Sequence, residues 1–164
     1  MAEALSTFTS SSLYLDTMIL YVFLRKQDEK TEALFRRISE GTLMAYTSVL
    51  TFDELAYKML LALISDTYPG SPLDHLRDRE TALIAEFYPR LAPALTELRA
   101  FPHLTLLSCN ADDLVRMDKT MLRYQLRPRD ALHVSAMQKC NCFDLLSHDA
   151  DFDRVPDVHR YTLF

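Results

Sequence analysis

Apolar residues along this chain fall into two alternating rhythms. LYLDT (13–17) and TLMAYTS (42–48) are short blocks rich in aromatic, aliphatic and β-branched residues, as buried strands are. LTLLS (104–108), FDLLS (143–147) and HRYTLF (159–164) repeat that pattern. Between them the spacing lengthens to three and four residues. Phe52, Leu55, Ala56, Met59, Leu60 and Leu63 form the stripe of an amphipathic helix. Residues 18–40 read as helix in two pieces closing at Gly41, and 111–124 as a helix opened by Asn110 or Asp112. DALHVSAMQK (130–139) is a further helix.

Strands alternating with helices predict an α/β fold of three α/β/α layers, with a central, mostly parallel sheet of about five strands. One block breaks the alternation. After the turn cluster DTYPGSP, the residues Leu73, Leu76, Leu83, Phe87, Leu91, Leu95 and Leu98 predict helix interrupted near Pro89 and Pro93, with no strand inside. The block 66–102 is therefore expected as a helical insertion, available to a partner or a dimer. The Ser/Thr-rich residues 1–12 read as a flexible polar leader, and 13–164 as a single domain.

Composition narrows the function. The 164 residues, 49% hydrophobic and 25% charged, suit one soluble domain, and no apolar run approaches the roughly 18 residues of a membrane span. The N-terminus lacks the basic and apolar regions of a signal peptide. Three cysteines, an odd number, argue for a reducing, cytoplasmic setting over a disulfide scaffold, and Cys140 and Cys142 lack the companions of a zinc site. Two glycines are too few for a P-loop or a dinucleotide-binding turn. The net charge of −5 speaks against a surface that coats nucleic acid generally, but not against a nuclease whose acids gather around cations.

Four acids stand where a parallel sheet opens its ligand crevice, beyond the carboxyl ends of the strands. Asp16 closes LYLD, Glu54 lies early in the helix after TLMAYTS, Asp130 starts DALHV, and Asp149 follows FDLLS. Singly, each has a plainer role: Asp16, Asp130 and Asp149 as N-caps, and Glu54 in a Thr51–Glu54 capping box. Together they are harder to account for, since crowded carboxylates raise one another's pKa unless a cation neutralises them. An all-oxygen set suits Mg²⁺ or Mn²⁺, and two such ions roughly 4 Å apart can drive phosphodiester hydrolysis. The run Asp149, Asp151, Asp153 resembles a calcium loop, yet Arg154 and Arg160 occupy the positions where an EF-hand needs Gly and Glu.

The segments LYLDTMIL (13–20), TSVLTFDELAY (47–57), RPRDALHVSAM (127–137) and LLSHDADFDRV (145–155) resemble, in order and spacing, the PIN-domain ribonucleases, including the VapC-type toxins of toxin–antitoxin pairs. The resemblance implies an α/β/α fold and Mg²⁺- or Mn²⁺-dependent endonucleolytic cleavage of single-stranded RNA. It makes Asp16, Glu54, Asp130 and Asp149 the metal-binding and catalytic quartet, with Thr17 and Ser147 in support. Relatives often have Asn at the position of Asp149 and an aspartate shortly after, so Asp153, and after it Asp151, is expected as an additional ligand. The toxin role implies an antitoxin protein partner and a homodimer. A housekeeping RNA-processing nuclease and a non-catalytic binding module of the same fold are the alternatives. Arg123, Arg127 and Arg129, with Lys119 one turn earlier, are the candidate contacts for RNA phosphates. His133, on the face of Asp130, is expected to be packed and hydrogen-bonded, and Tyr14, Tyr57 and Phe152 to be core or rim.

Overall fold

Strand Ser12–Leu15 (β2) takes the centre of the sheet because its side chains are buried on both faces. Leu13 and Leu15 face one apolar cluster and Tyr14 the other. This computed structural model describes residues 2–163. Met1, at the head of the expected leader, and Phe164, the end of the expected last strand, lie outside the described residues.

Around β2 run Glu3–Ala4 (β1), Met44–Ser48 (β3), Leu104–Leu107 (β4), Asp144–Leu146 (β5) and His159–Thr162 (β6). The sheet order is β1-β6-β5-β2-β3-β4, and every pairing is parallel. Helices Thr17–Leu24 (α1), Glu29–Ser39 (α2), Val49–Thr67 (α3) and Pro72–Arg99 (α4) supply Ile19, Leu34, Leu55 and Leu91 to the cluster around Leu13 and Leu15. Ala111–Tyr124 (α5) and Pro128–Cys140 (α6) pack on the opposite face, where Val134 and Met137 meet Tyr14 and Leu145. Among the described residues, no helix is long and apolar enough to cross a membrane.

The expected three-layer architecture is present, with six strands among the described residues where about five were expected. The extra strand comes from the leader. Glu3–Ala4 pairs with Tyr161 and Thr162, and Phe8 is buried against Tyr161 at 5.1 Å between ring centroids. A polar stretch is recruited because β6 would otherwise leave its edge unpaired.

Two further expectations change. Helix α4 runs through Pro89 and Pro93, and its one non-helical residue is Arg79 (φ −138°, ψ 30°). Both prolines are exposed, and the buried stripe Leu83, Phe87, Leu91, Leu95, Leu98 holds the helix across the hydrogen bonds they remove. The block is also not wholly an insertion. Leu91, Leu95 and Leu98 belong to the main core, while Leu83 and Phe87 close a separate cluster with Leu60 and Ile64 at the far end of the α3–α4 pair.

If the stripe holds α4 together, Pro93→Ala restores a helical hydrogen bond at an exposed site and raises stability in urea by about 1 kcal/mol. Leu91→Ala, by contrast, lowers it by about 3 kcal/mol.

Candidate metal centre

The chain leaves β2 to build β3 and β4 on one side, then returns to build β5 and β6 on the other. The crevice of such a sheet opens where those directions diverge, beyond the carboxyl ends of β2 and β5. There, a cleft of about 580 Å³ is lined by all four sequence-predicted acids, Asp16, Glu54, Asp130 and Asp149, together with Thr17, Lys58, Arg127, Arg129, His133 and His148.

Each acid arrives by a different local device. Asp16 is the N-cap of α1, where its Oδ1 accepts from the Thr17 amide at 2.6 Å. Its Oδ2 accepts from the Ser147 hydroxyl at 2.6 Å. The Ser147 oxygen in turn accepts from the Asp149 amide at 3.0 Å, so one buried side chain ties the β2 end to the β5 end. Asp149 caps the 3₁₀ turn Ala150–Arg154, accepting from the Asp151 amide at 2.8 Å. Capping and site membership are thus compatible for these two residues.

For the other two, the expected caps are absent. Helix α3 begins at Val49, directly after β3, with Ser48 at the N-cap position. Glu54 therefore lies in the second turn, outside any Thr51 capping box, and its Oε2 accepts from the Thr17 hydroxyl at 2.9 Å. Lys58, one turn on, approaches its Oε1 at 3.5 Å. Helix α6 opens at Pro128, a residue suited to a first turn, which leaves Asp130 inside the helix. Among the described residues, Asp130 Oδ2 is buried without a hydrogen-bond partner.

Single carboxylate oxygens of Asp130, Asp149 and Asp151 lie within 4.8 Å of one another. Asp151, ranked behind Asp153 from the sequence, is thus the member of the triplet that joins. Asp153 turns to Arg160, whose Nε and Nη2 donate to its two oxygens at 2.8 and 3.0 Å, and this pairing holds the Asp153 carboxyl below the usual carboxylate range. Alternate positions share a side in a strand but not in a 3₁₀ helix such as Ala150–Arg154, with about three residues per turn, which explains the separation. Arg154 holds Asp151 in a close ion pair and donates to the Gln125 carbonyl at 2.6 Å. The i,i+3 spacing of Asp151 and Arg154 was the available sequence signal.

Burial pushes the Asp130 carboxyl up from 3.8 to about 6, helped by the charges of Asp149, Asp151 and Asp16 and opposed by Arg127. A buried, unpartnered oxygen beside two further carboxylates, with no nitrogen or sulfur donor in the triplet, fits a hard divalent cation such as Mg²⁺ or Mn²⁺.

The remaining predicted residues divide. His133 is buried and its Nδ1 pairs with the Tyr14 hydroxyl at 2.9 Å, as expected of a packed histidine. Tyr14 and Phe152 are core, and Tyr57 is exposed. Arg127 and Arg129 reach the cleft, with Arg129 3.5 Å from Asp53 at its lip. Arg123 and Lys119 do not; they line a separate hollow on α5.

The PIN domain family model matches residues 13–158, and no curated protein matches the sequence. Among solved structures, the chain is similar to VapBC2 from Rickettsia felis bound to a DNA fragment from its promoter: 13% identity, 92% of this chain and 98% of that chain covered, TM-score 0.62. It is also similar to a toxin–antitoxin complex from Klebsiella pneumoniae (15%, 89% and 94%, 0.55). A third similarity is to VapC20 of Mycobacterium tuberculosis, a sarcin-ricin loop cleaving toxin (15%, 86% and 92%, 0.55). At these identities the likeness is one of fold.

Because Asp130 titrates higher in the folded chain than unfolded, the metal-free fold binds the extra proton, and its stability falls as pH rises from about 4 through about 6. The displacement is worth about 3 kcal/mol at full burial, and solvent screening of the half-buried carboxyl leaves about 1 kcal/mol. Urea unfolding in EDTA at pH 4.5 and 7 measures it, and Asp130→Asn is expected to abolish this component of the pH dependence.

Proposed function

The chain belongs to the PIN-domain family, and on that premise we propose that it is a Mg²⁺- or Mn²⁺-dependent endoribonuclease cutting single-stranded RNA, acting as the toxin of a toxin–antitoxin pair. The observation that carries the reading is the convergence of acids from α1, α3, α6 and the turn after β5 on one cleft, with a buried Asp130 oxygen left unpartnered.

Asp130, Asp149 and Asp151 would hold the cation directly, and Asp16 and Glu54 would complete its surroundings. When bound, the divalent ion supplies a Lewis acid that activates water and offsets phosphate charge. The protein's own part is arrangement. Ser147 and the Thr17 amide fix both oxygens of Asp16, and the Thr17 hydroxyl fixes Glu54. Arg154 anchors Asp151 from its outer side. Arg127, Arg129 and Lys58 bring positive charge to the cleft wall, where an RNA phosphate would enter, so binding weakens with salt. Asp153 and Arg160 serve as a strut, since Arg160 Nη1 also donates to the Ser147 carbonyl at 3.2 Å and so steadies the residue that orients Asp16.

The toxin role is supported by the complexes among the structural neighbours. A groove of about 550 Å³ between α1, α2 and α4, lined by the apolar Phe23, Leu24, Phe35 and Phe101 and by the charged Lys26, Glu32, Arg36 and Glu97, would receive an antitoxin segment. A homodimer is part of the same reading.

Purified protein incubated with single-stranded RNA is expected to cut it in Mn²⁺ and not in EDTA. Asp16→Asn, Asp130→Asn and Asp149→Asn should each lower the rate at least about 100-fold, and Asp151→Asn about 10-fold or more. Asp153→Asn should keep most of the rate, because Arg160 still donates to the Ser147 carbonyl, but cost about 2 kcal/mol of stability through the lost charge of its carboxylate partner. Intact RNA under all conditions would contradict the ribonuclease reading. Loss of activity in Asp153→Asn with Asp151→Asn unaffected would contradict the ligand assignment.

A further inference from the structure

Three cations, Arg116, Lys119 and Arg123, recur at three- and four-residue steps along α5 and so share one face of it. With Thr120, Tyr124 and Gln138 they line a hollow of about 210 Å³ between α5 and α6, outside the acid cleft. Surface cations in a chain of net charge −5 ordinarily find acids, as Arg25 does in its two hydrogen bonds to Asp66. Lys119 and Arg123 have no carboxylate partner among the described residues. Arg116 shares the single charge of Asp113 with Lys139, at 3.1 and 2.9 Å, so that group also retains surplus positive charge. The Arg123 guanidinium lies 5.2 Å from the centre of the Tyr124 ring, which is itself half-buried at the hollow.

Continuity decides what this stripe serves. Helix α5 ends at Tyr124, Gln125 turns the chain through a left-handed conformation (φ 52°), and the next cation, Arg127, lines the acid cleft. From Arg116 to Arg123 the helix rises about 10 Å, and Arg127, three residues beyond its end, carries the positive charge to the acid cleft. Such a row follows a phosphate backbone, and an aromatic ring beneath a guanidinium is a surface on which an unpaired base can stack.

We propose that Arg116, Lys119, Arg123 and Tyr124 form a second RNA-binding subsite, which holds the single strand several nucleotides away from the phosphodiester being cut and leads it to Arg127. The subsite rests on the ribonuclease reading of the cleft and adds to it a preference for longer single strands. It contributes to substrate affinity and has no part in the chemical step. Val115 and Leu122, 56% and 82% exposed, flank the stripe on the same helix, so a protein face is the competing assignment.

The test compares wild type with Lys119→Gln/Arg123→Gln, in Mn²⁺, on a 15-nucleotide and a 3-nucleotide single-stranded RNA. For the 15-mer, KM is expected to rise roughly tenfold with kcat kept, and the slope of log(1/KM) against log salt to shrink by about 1.4, two phosphates at about 0.7 each. For the 3-mer, both constants should stay at the wild-type values, and an unchanged melting temperature shows that the fold is intact. An unchanged KM for the 15-mer, or an equal rise for both substrates, overturns the subsite. An unchanged salt slope with an altered sedimentation coefficient assigns the face to contact between protein chains and also overturns it. If wild-type protein cuts neither RNA, the reading of the cleft itself fails, an outcome distinct from a wild type that cuts both while the variant cuts them equally well.

Discussion

Crowding of carboxylates between the ends of β2 and β5 is the constraint to which the rest of this fold answers. Asp16 and Asp149 follow adjacent strands, and Asp130 and Asp151 are brought against them by a helix start and a 3₁₀ turn. Burial, and then the neighbouring charges of Asp149, Asp151 and Asp16, hold the Asp130 carboxyl up at about 6. The surrounding structure offsets the crowding unevenly. Hydrogen bonds occupy both oxygens of Asp16, and Glu54 accepts from Thr17, whereas one oxygen of Asp130 receives nothing. A site built for stability alone would have closed that gap with a donor, since an unmet buried acceptor costs about 1–3 kcal/mol.

Hydrogen bonds from residues behind the acids keep them from moving apart. Ser147 links the two strand ends through Asp16 and the Asp149 amide, and Arg160 grips both the Ser147 carbonyl and Asp153. Arg154 ties Asp151 to the carbonyl of Gln125, in the turn that leads into α6. The turn after β5 is thereby braced to β6 on one side and to the α5–α6 connection on the other. The two arginines are what make a short, otherwise irregular segment a fixed wall of the cleft.

Much of this was legible in the sequence because the governing signals are local. The apolar blocks mark the parallel strands, and acids at strand ends can be read without knowing strand order. Relations that depend on turn geometry were less legible. The resemblance put Asp153 ahead of Asp151 as the companion of Asp149, but the chain enters a 3₁₀ turn there and Asp151 takes that place. Glu54 looked like a capping residue only if α3 began at Thr51, and β3 instead runs straight into the helix at Ser48 and Val49. The two prolines looked like breaks because propensity counts lost hydrogen bonds, while the leucine stripe of α4 acts through burial. The first strand was hidden in a polar leader, because a two-residue edge strand needs only backbone groups to pair.

If the acid cluster serves to hold a divalent cation, crystals soaked in Mn²⁺ will carry the ion between its carboxylates. Anomalous density is expected within about 2.2 Å of carboxylate oxygens of Asp130, Asp149 and Asp151, with the Arg160–Asp153 pair intact. Density coordinated by Asp153, or none anywhere in the cleft at saturating Mn²⁺, would contradict that role.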